Sequence, residues 1–119
     1  MVGKIPLKAA THEEAATFAT NRITSQAYGC LMARIYRYFT IEFGILNAPP
    51  IFYLPPSYYI LKEPFNGVRH IYAEPELPMT DKEFIKYTNN GLFCISQSMA
   101  SFSHFTHVIS DQHLMITDL

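Results

Sequence analysis

Three histidines, His104, His107 and His113, fall close together near the end of the sequence. Imidazole nitrogens are common zinc ligands, but the spacing fits no compact ligand set. The local pattern places His104 at a helix end and His107 and His113 on facing strands. Ordinary hydrogen-bonded or exposed histidine is the competing reading. Asp118 closes the apolar run Leu114-Met115-Ile116-Thr117. A carboxylate at the end of a buried strand is held rigidly at a cleft mouth, a position suited to metal binding or catalysis. It is equally suited to being a polar terminus. Glu74 follows Ile71-Tyr72-Ala73 and precedes Pro75. Proline cannot continue a ladder, so the strand end is free to meet a flat polar ligand edge, or is only a strand exit. Cys30 has no histidine nearby in sequence and reads as a buried inert thiol. The sequence lacks GxxxxGK[ST], GxGxxG and GxSxG, and its five glycines are too dispersed to cradle phosphate.

These residues need elements to position them. Residues 1–8 read as a short strand end limited by Pro6. Thr11-His12-Glu13-Glu14 reads as a capping box that opens a helix. Tyr28, Leu31, Met32, Ile35, Phe39 and Phe43 recur at three- and four-residue steps and share a helix face. Gly29 is expected to divide this stretch in two, and Gly44 to stop it. Pro49-Pro50 and Pro55-Pro56 bracket an extended edge segment. Tyr58–Leu61 and Val68–Ala73 read as strands joined by a hairpin turn at Asn66-Gly67. Residues 74–80 form an irregular connection, 81–87 a helical turn or short strand, and Asn89-Asn90-Gly91 a turn. Ser96 to Phe105 is a short helix with Met99, Phe102 and Phe105 on one face. Thr106–Ile109 and His113–Leu119 are expected to pair as a second hairpin, with Leu114-Met115-Ile116 buried on both faces. The order predicts an α+β fold with a long helix packed on a mainly antiparallel sheet.

The composition bounds the class of protein. The 119 residues are 49% hydrophobic and carry a net charge of −1, which excludes a disordered chain and argues against a strongly basic nucleic-acid surface. Two cysteines do not make a disulfide framework. No apolar run approaches a membrane span and no signal peptide is evident, so a cytoplasmic protein with no membrane partner is expected. Nine Phe and eight Tyr are a heavy load for this length. They imply a large core or a surface that expects more protein.

The C-terminal third resembles the alpha-kinases, the atypical protein kinases that include myosin heavy chain kinase and elongation factor kinase. Ala100-Ser101-Phe102-Ser103-His104-Phe105-Thr106, followed after a turn by Leu114-Met115-Ile116-Thr117-Asp118-Leu119, is similar to the family's A-F-S-H-[FW]-T and apolar-D-[LI]-Q-G. Ala73-Glu74-Pro75 and Glu83-Phe84-Ile85-Lys86-Tyr87-Thr88-Asn89-Asn90 are similar to V-E-P and F-x-K-Y-N-N-N. The likeness is best over residues 51–119 and looser before them.

The resemblance implies one partial alpha-kinase-like domain over residues 1–119, moving the ATP γ-phosphoryl group to protein Ser or Thr. It implies that Asp118 binds magnesium against the phosphates and that Glu74 is the hinge meeting adenine. It implies that His104 is one ligand of the family's structural zinc. Lys4, in Val2-Gly3-Lys4, matches the V-x-K lysine that contacts phosphate. The family's glutamate partner for that lysine is not identified; Cys30 and its neighbours fall near its place. The sequence ends before the Gln-Gly of D-[LI]-Q-G. It also lacks the downstream catalytic aspartate, the glycine-rich loop and the remaining zinc ligands. It therefore contains no catalytic residue, and these 119 residues are expected not to turn over alone. A non-catalytic, pseudokinase-like interaction remnant is the alternative.

Overall fold

The computed structural model describes residues 2–4, 11–45, 47–78, 85–87 and 96–117. Its element order is β1 (Val2–Lys4), α1 (His12–Glu42), β2 (Ser57–Phe65), β3 (Val68–Glu74) and α2 (Gln97–Ile109). The three strands form one antiparallel sheet in the order β1-β3-β2, so the fold is α+β as expected.

The capping box at the start of α1 forms in both directions. The Glu14 amide donates to Thr11 Oγ1 at 3.2 Å, and the Thr11 amide donates to Glu14 Oε2 at 3.0 Å. Two of the helix's otherwise orphaned amides are thus satisfied. Thr11→Ala is expected to cost about 1 kcal/mol, read as a fall in the urea midpoint. An unchanged midpoint would show that the box adds nothing to the fold.

Beyond its cap, α1 is one uninterrupted helix of 31 residues, so Gly29 does not divide it. The reason is packing: a Cβ at Gly29 would lie only 2.3 Å from the Tyr53 ring. The glycine serves as a seat for that ring. Gly44, at φ +64°, does end the helix. Of the expected apolar face, Met32 is buried and Tyr28, Ile35 and Phe39 are half-buried, whereas Leu31 and Phe43 are exposed.

The hairpin forms where Asn-Gly predicts it. Asn66 and Gly67 both take positive φ, 49° and 76°, and Phe65 pairs with Val68 across the two-residue loop. Register is irregular between Ile60 and Phe65, a stretch containing Pro64, which has no amide to give the ladder. β2 is an edge strand, where such an interruption is tolerated. The proline-bracketed residues 51–54 carry no regular structure, although Ile51 is buried.

The expected second hairpin does not form. Thr106–Ile109 continue α2, which starts at the Ser96 cap and ends at Ser110. Thr106 is a strand-prone residue, yet its Oγ1 donates to the Ser103 carbonyl at 2.7 Å, a bond that suits threonine to a helix. Residues 113–117 form no strand. Side chains of α2 take the place of a strand partner for Ile116. Its amide donates to Thr106 Oγ1 at 2.9 Å, and its carbonyl accepts from Ser103 Oγ at 2.6 Å. Leu114 and Met115 are about half exposed rather than buried on both faces. The Asn89-Asn90-Gly91 turn and residues 81–84 lie outside the described residues; Ile85–Tyr87 have no regular structure.

The chain divides into two units, Met1–Leu31 with Tyr53–Leu77 and Met32–Phe52 with Pro78–Leu119. The first holds the sheet and buries Ala15, Ala19, Val68, Tyr72 and Ala73. The second buries Met32, Ala33, Ile51, Phe102 and Thr106, with Tyr36 packed edge-on against Phe102 and Phe105. Not all the aromatics find cover: Phe43 is 72% exposed and Phe52 79%.

Candidate functional site

Antiparallel pairing brings the two ends of the first unit's sequence together. Lys4 lies opposite Tyr72, and Val2 opposite Glu74. Side chains of a strand alternate between faces, so Tyr72 and Glu74 share one face and Lys4 joins them across the ladder. Lys4 Nζ pairs with Glu74 Oε1 at 2.5 Å, and the Tyr72 phenol donates to Glu74 Oε2 at 2.8 Å. The ammonium also stands 6.0 Å from the centre of the Tyr72 ring. The lysine side chain is 43% exposed and the glutamate 18%, so the cluster opens to water on the lysine side.

Electrostatics fix the protonation states. Burial pushes the Glu74 carboxyl upward, but the bonds from Lys4 and Tyr72 and the charges of Lys4 and Arg22 outweigh it. The group is held below the ordinary glutamate range. Tyr72 is pushed up to about 12, first by burial and then by its bond to the Glu74 carboxylate. At neutral pH Glu74 is therefore a carboxylate and Tyr72 a neutral phenol.

The sequence points to Lys4 and Glu74 separately; the register joins them as an ion pair. It does not point to Tyr72 or Arg22. The period-two spacing of His70, Tyr72 and Glu74 was the available signal for the tyrosine. Arg22, on α1, is close enough for its charge to act on both Tyr72 and Glu74. The carboxylate that meets Lys4 comes from β3, and α1 brings a cation to this cluster. Further along the same sheet face, the Tyr58 phenol meets His70 Nδ1 at 2.6 Å.

Asp118 lies outside the described residues. His104 is exposed on α2, in the second unit, and His113 turns its Nδ1 to the carbonyls of Ser110 and Asp111 in the turn after that helix. Among the described residues, no three His, Cys, Asp or Glu side chains lie together as a metal site would need. Cys30 is a free thiol, half-buried beside the Leu54 carbonyl. A cleft of about 320 Å³ in the second unit is lined by Tyr36, Arg37, Thr40, Pro49, Pro50 and Ile51, none of them a predicted site residue. No helix among the described residues is long and apolar enough to cross a membrane.

An α+β chain with a long helix after the lysine strand fits the arrangement that the sequence resemblance implies. The alpha-kinase family model matches residues 1–119, and the chain belongs to the alpha-kinase family. In general terms, membership carries ATP and magnesium as cofactors and a protein as the substrate. Comparisons with curated proteins and with solved structures gave no match.

Proposed function

We propose that the first unit is the adenine-nucleotide-binding part of an alpha-type Ser/Thr protein kinase domain. Lys4 contacts phosphate and Glu74, with its neighbouring backbone, meets adenine. The observation that carries this reading is the β1–β3 register, which sets these two distant residues side by side on one sheet face. The family resemblance assigns both of them to one nucleotide site. The Lys4 ammonium carries three donors and its side chain is 43% exposed, so it can reach a phosphate while it stays paired with Glu74. Asp118 is the residue proposed to hold magnesium, which when bound neutralises phosphate charge. His104 is proposed as one zinc ligand, with the others supplied from outside these residues. Residues 1–119 form a single incomplete domain in this reading, cytoplasmic, without nucleic-acid or membrane partners. In this reading they bind nucleotide and are expected not to transfer phosphate by themselves.

Titration calorimetry of the 119-residue chain with Mg-ATP tests this. Binding is expected, and Lys4→Ala is expected to weaken it about tenfold or more, as for loss of a charge-assisted phosphate bond. Equal affinity in the two proteins would remove Lys4 from the site. A wild-type chain with no magnesium-dependent nucleotide affinity would favour the second reading, a non-catalytic interaction module. The exposed side chains of Tyr38, Ile41, Phe43, Ile45 and Phe52 support that reading, since exposed apolar surface suits contact with protein.

A further inference from the structure

The hydrogen bond from Tyr72 gives Glu74 something an ion pair alone does not: a fixed orientation. A glutamate paired only with a half-exposed lysine can rotate about its side-chain bonds while the flexible ammonium follows. Here the second oxygen is held by a group that cannot follow. Tyr72 is 3% exposed and sits in the central strand, with Lys4 opposite it on β1 and Tyr58 opposite it on β2. Its ring is therefore confined by the sheet, and its phenol reaches Oε2 at 2.8 Å while Lys4 takes Oε1. Glu74 is the last residue of β3, followed by Pro75, which has no amide with which to extend the ladder.

We propose that Tyr72 is a positioning residue that locks the Glu74 carboxylate as an oriented, acceptor-only group, and so sets a preference for a ligand edge that donates N–H over one that presents a carbonyl oxygen. For a purine nucleotide this is a preference for a 6-amino over a 6-oxo base. This step rests on the nucleotide reading given above. Its chemistry is simple. An ionised carboxylate accepts about four hydrogen bonds and donates none. Two of those positions are occupied, by Lys4 and Tyr72, and the rest are held in a fixed plane. An amino group completes that set, whereas a carbonyl oxygen meets like charge. Lys4 and Arg22 are the cations whose charge acts on the carboxylate, and Tyr72 itself stays neutral.

The test compares Mg-ATP with Mg-inosine triphosphate in wild type and Tyr72→Phe, and follows the Glu74 carboxyl titration by carbon-detected NMR. The variant keeps the buried ring and removes only the phenol oxygen. Wild type is expected to favour ATP. Tyr72→Phe is expected to lose about tenfold or more in ATP affinity, the usual effect of one hydrogen bond to a charged group, with inosine triphosphate affinity unchanged. The Glu74 midpoint is expected to rise in the same variant. Equal weakening of both nucleotides, or an unmoved Glu74 midpoint, overturns the proposal. If wild type binds neither nucleotide, the nucleotide reading fails and the base preference fails with it, while a risen midpoint would still show Tyr72 fixing the carboxylate. If Tyr72→Phe does not fold, Glu74→Gln gives the same decision with Tyr72 intact. Its amide can donate to a 6-oxo group, so the preference for ATP is expected to collapse, and a preserved preference overturns the proposal.

Discussion

The Phe102→Ala substitution is expected to remove about 3–5 kcal/mol of stability, as for a fully buried phenylalanine whose site cannot collapse. Small domains have only about 5–15 kcal/mol in total, so the variant is expected to be largely unfolded at moderate urea. Phe102 is fully buried, and its ring meets the edge of Tyr36 at 5.3 Å and 71°. Tyr36 also meets Phe105 at 5.1 Å, and Phe105 meets Phe39 at 5.8 Å. Such pairs add about 0.5–1.5 kcal/mol each beyond burial, and the substitution removes the innermost ring of the group. Thr106, one turn further along α2, shares the buried face and holds the Ile116 amide. An unseated α2 therefore also releases residues 113–117. Urea unfolding of Phe102→Ala beside Phe102→Leu checks this: the leucine variant should lose clearly less. A loss below about 1 kcal/mol for alanine would show that these rings are not the unit's core.

The same helix shows where sequence reasoning stops. Ser96 as its start and the shared face of Met99, Phe102 and Phe105 are legible, because a cap residue and a period near 3.6 are local signals. Its continuation through Thr106-His107-Val108-Ile109 is not. Those residues carry strand propensity, and what decides their state is tertiary. Phe102 and Phe105 dock on rings of α1, and Thr106 finds a carbonyl in its own helix. The apolar run Leu114-Met115-Ile116 misleads in the same way, since Ile116 finds its backbone partners in two side chains of α2 and Leu114 finds its own in the Ser110 hydroxyl. By contrast, Asn66-Gly67 and the Thr11–Glu14 box are fully local, and both form as read.

The candidate cluster divides along the same line. Lys4 and Glu74 stand out by residue type and by their neighbours Gly3 and Pro75. Their pairing needs the β1–β3 register, which no local signal in a three-residue strand determines. Tyr72 was hidden for a different reason. It looks like one more apolar strand residue until Glu74 is seen two positions on, on the same face. Arg22 enters through the tertiary approach of its charge to Tyr72 and Glu74, which helix periodicity alone does not reveal.

Gly29→Ala carries the second large expected effect, and its sign runs against helix propensity. In an exposed helix the change stabilises by about 1 kcal/mol. At this position the new Cβ would fall 2.3 Å from Tyr53 Cε1 and 2.7 Å from Cδ1 and Cζ. Contacts this short to three atoms of the ring require the ring to move off its seat on the helix. The helix is continuous from His12 to Glu42, and the ring's own segment is tied to it by Gln26 Nε2 donating to the Leu54 carbonyl at 2.9 Å. Overpacking of this kind costs up to about 3 kcal/mol, so a net loss of about 2 kcal/mol is expected. The displaced ring supplies an independent readout. Burial, then the charge of Cys30, pushes the Tyr53 phenol up to about 12 from an ordinary value of 10.0. Because the folded state keeps this proton longer than the unfolded state does, wild-type stability falls as pH rises from about 10 to about 12. In Gly29→Ala the phenol reaches water and its midpoint is expected to drop toward 10, while Tyr72 stays near 12. Ultraviolet titration should thus show one high phenol moving and one remaining, together with a lower urea midpoint at neutral pH. A stabilised variant with both phenols still high would mean that Tyr53 does not rest on Gly29.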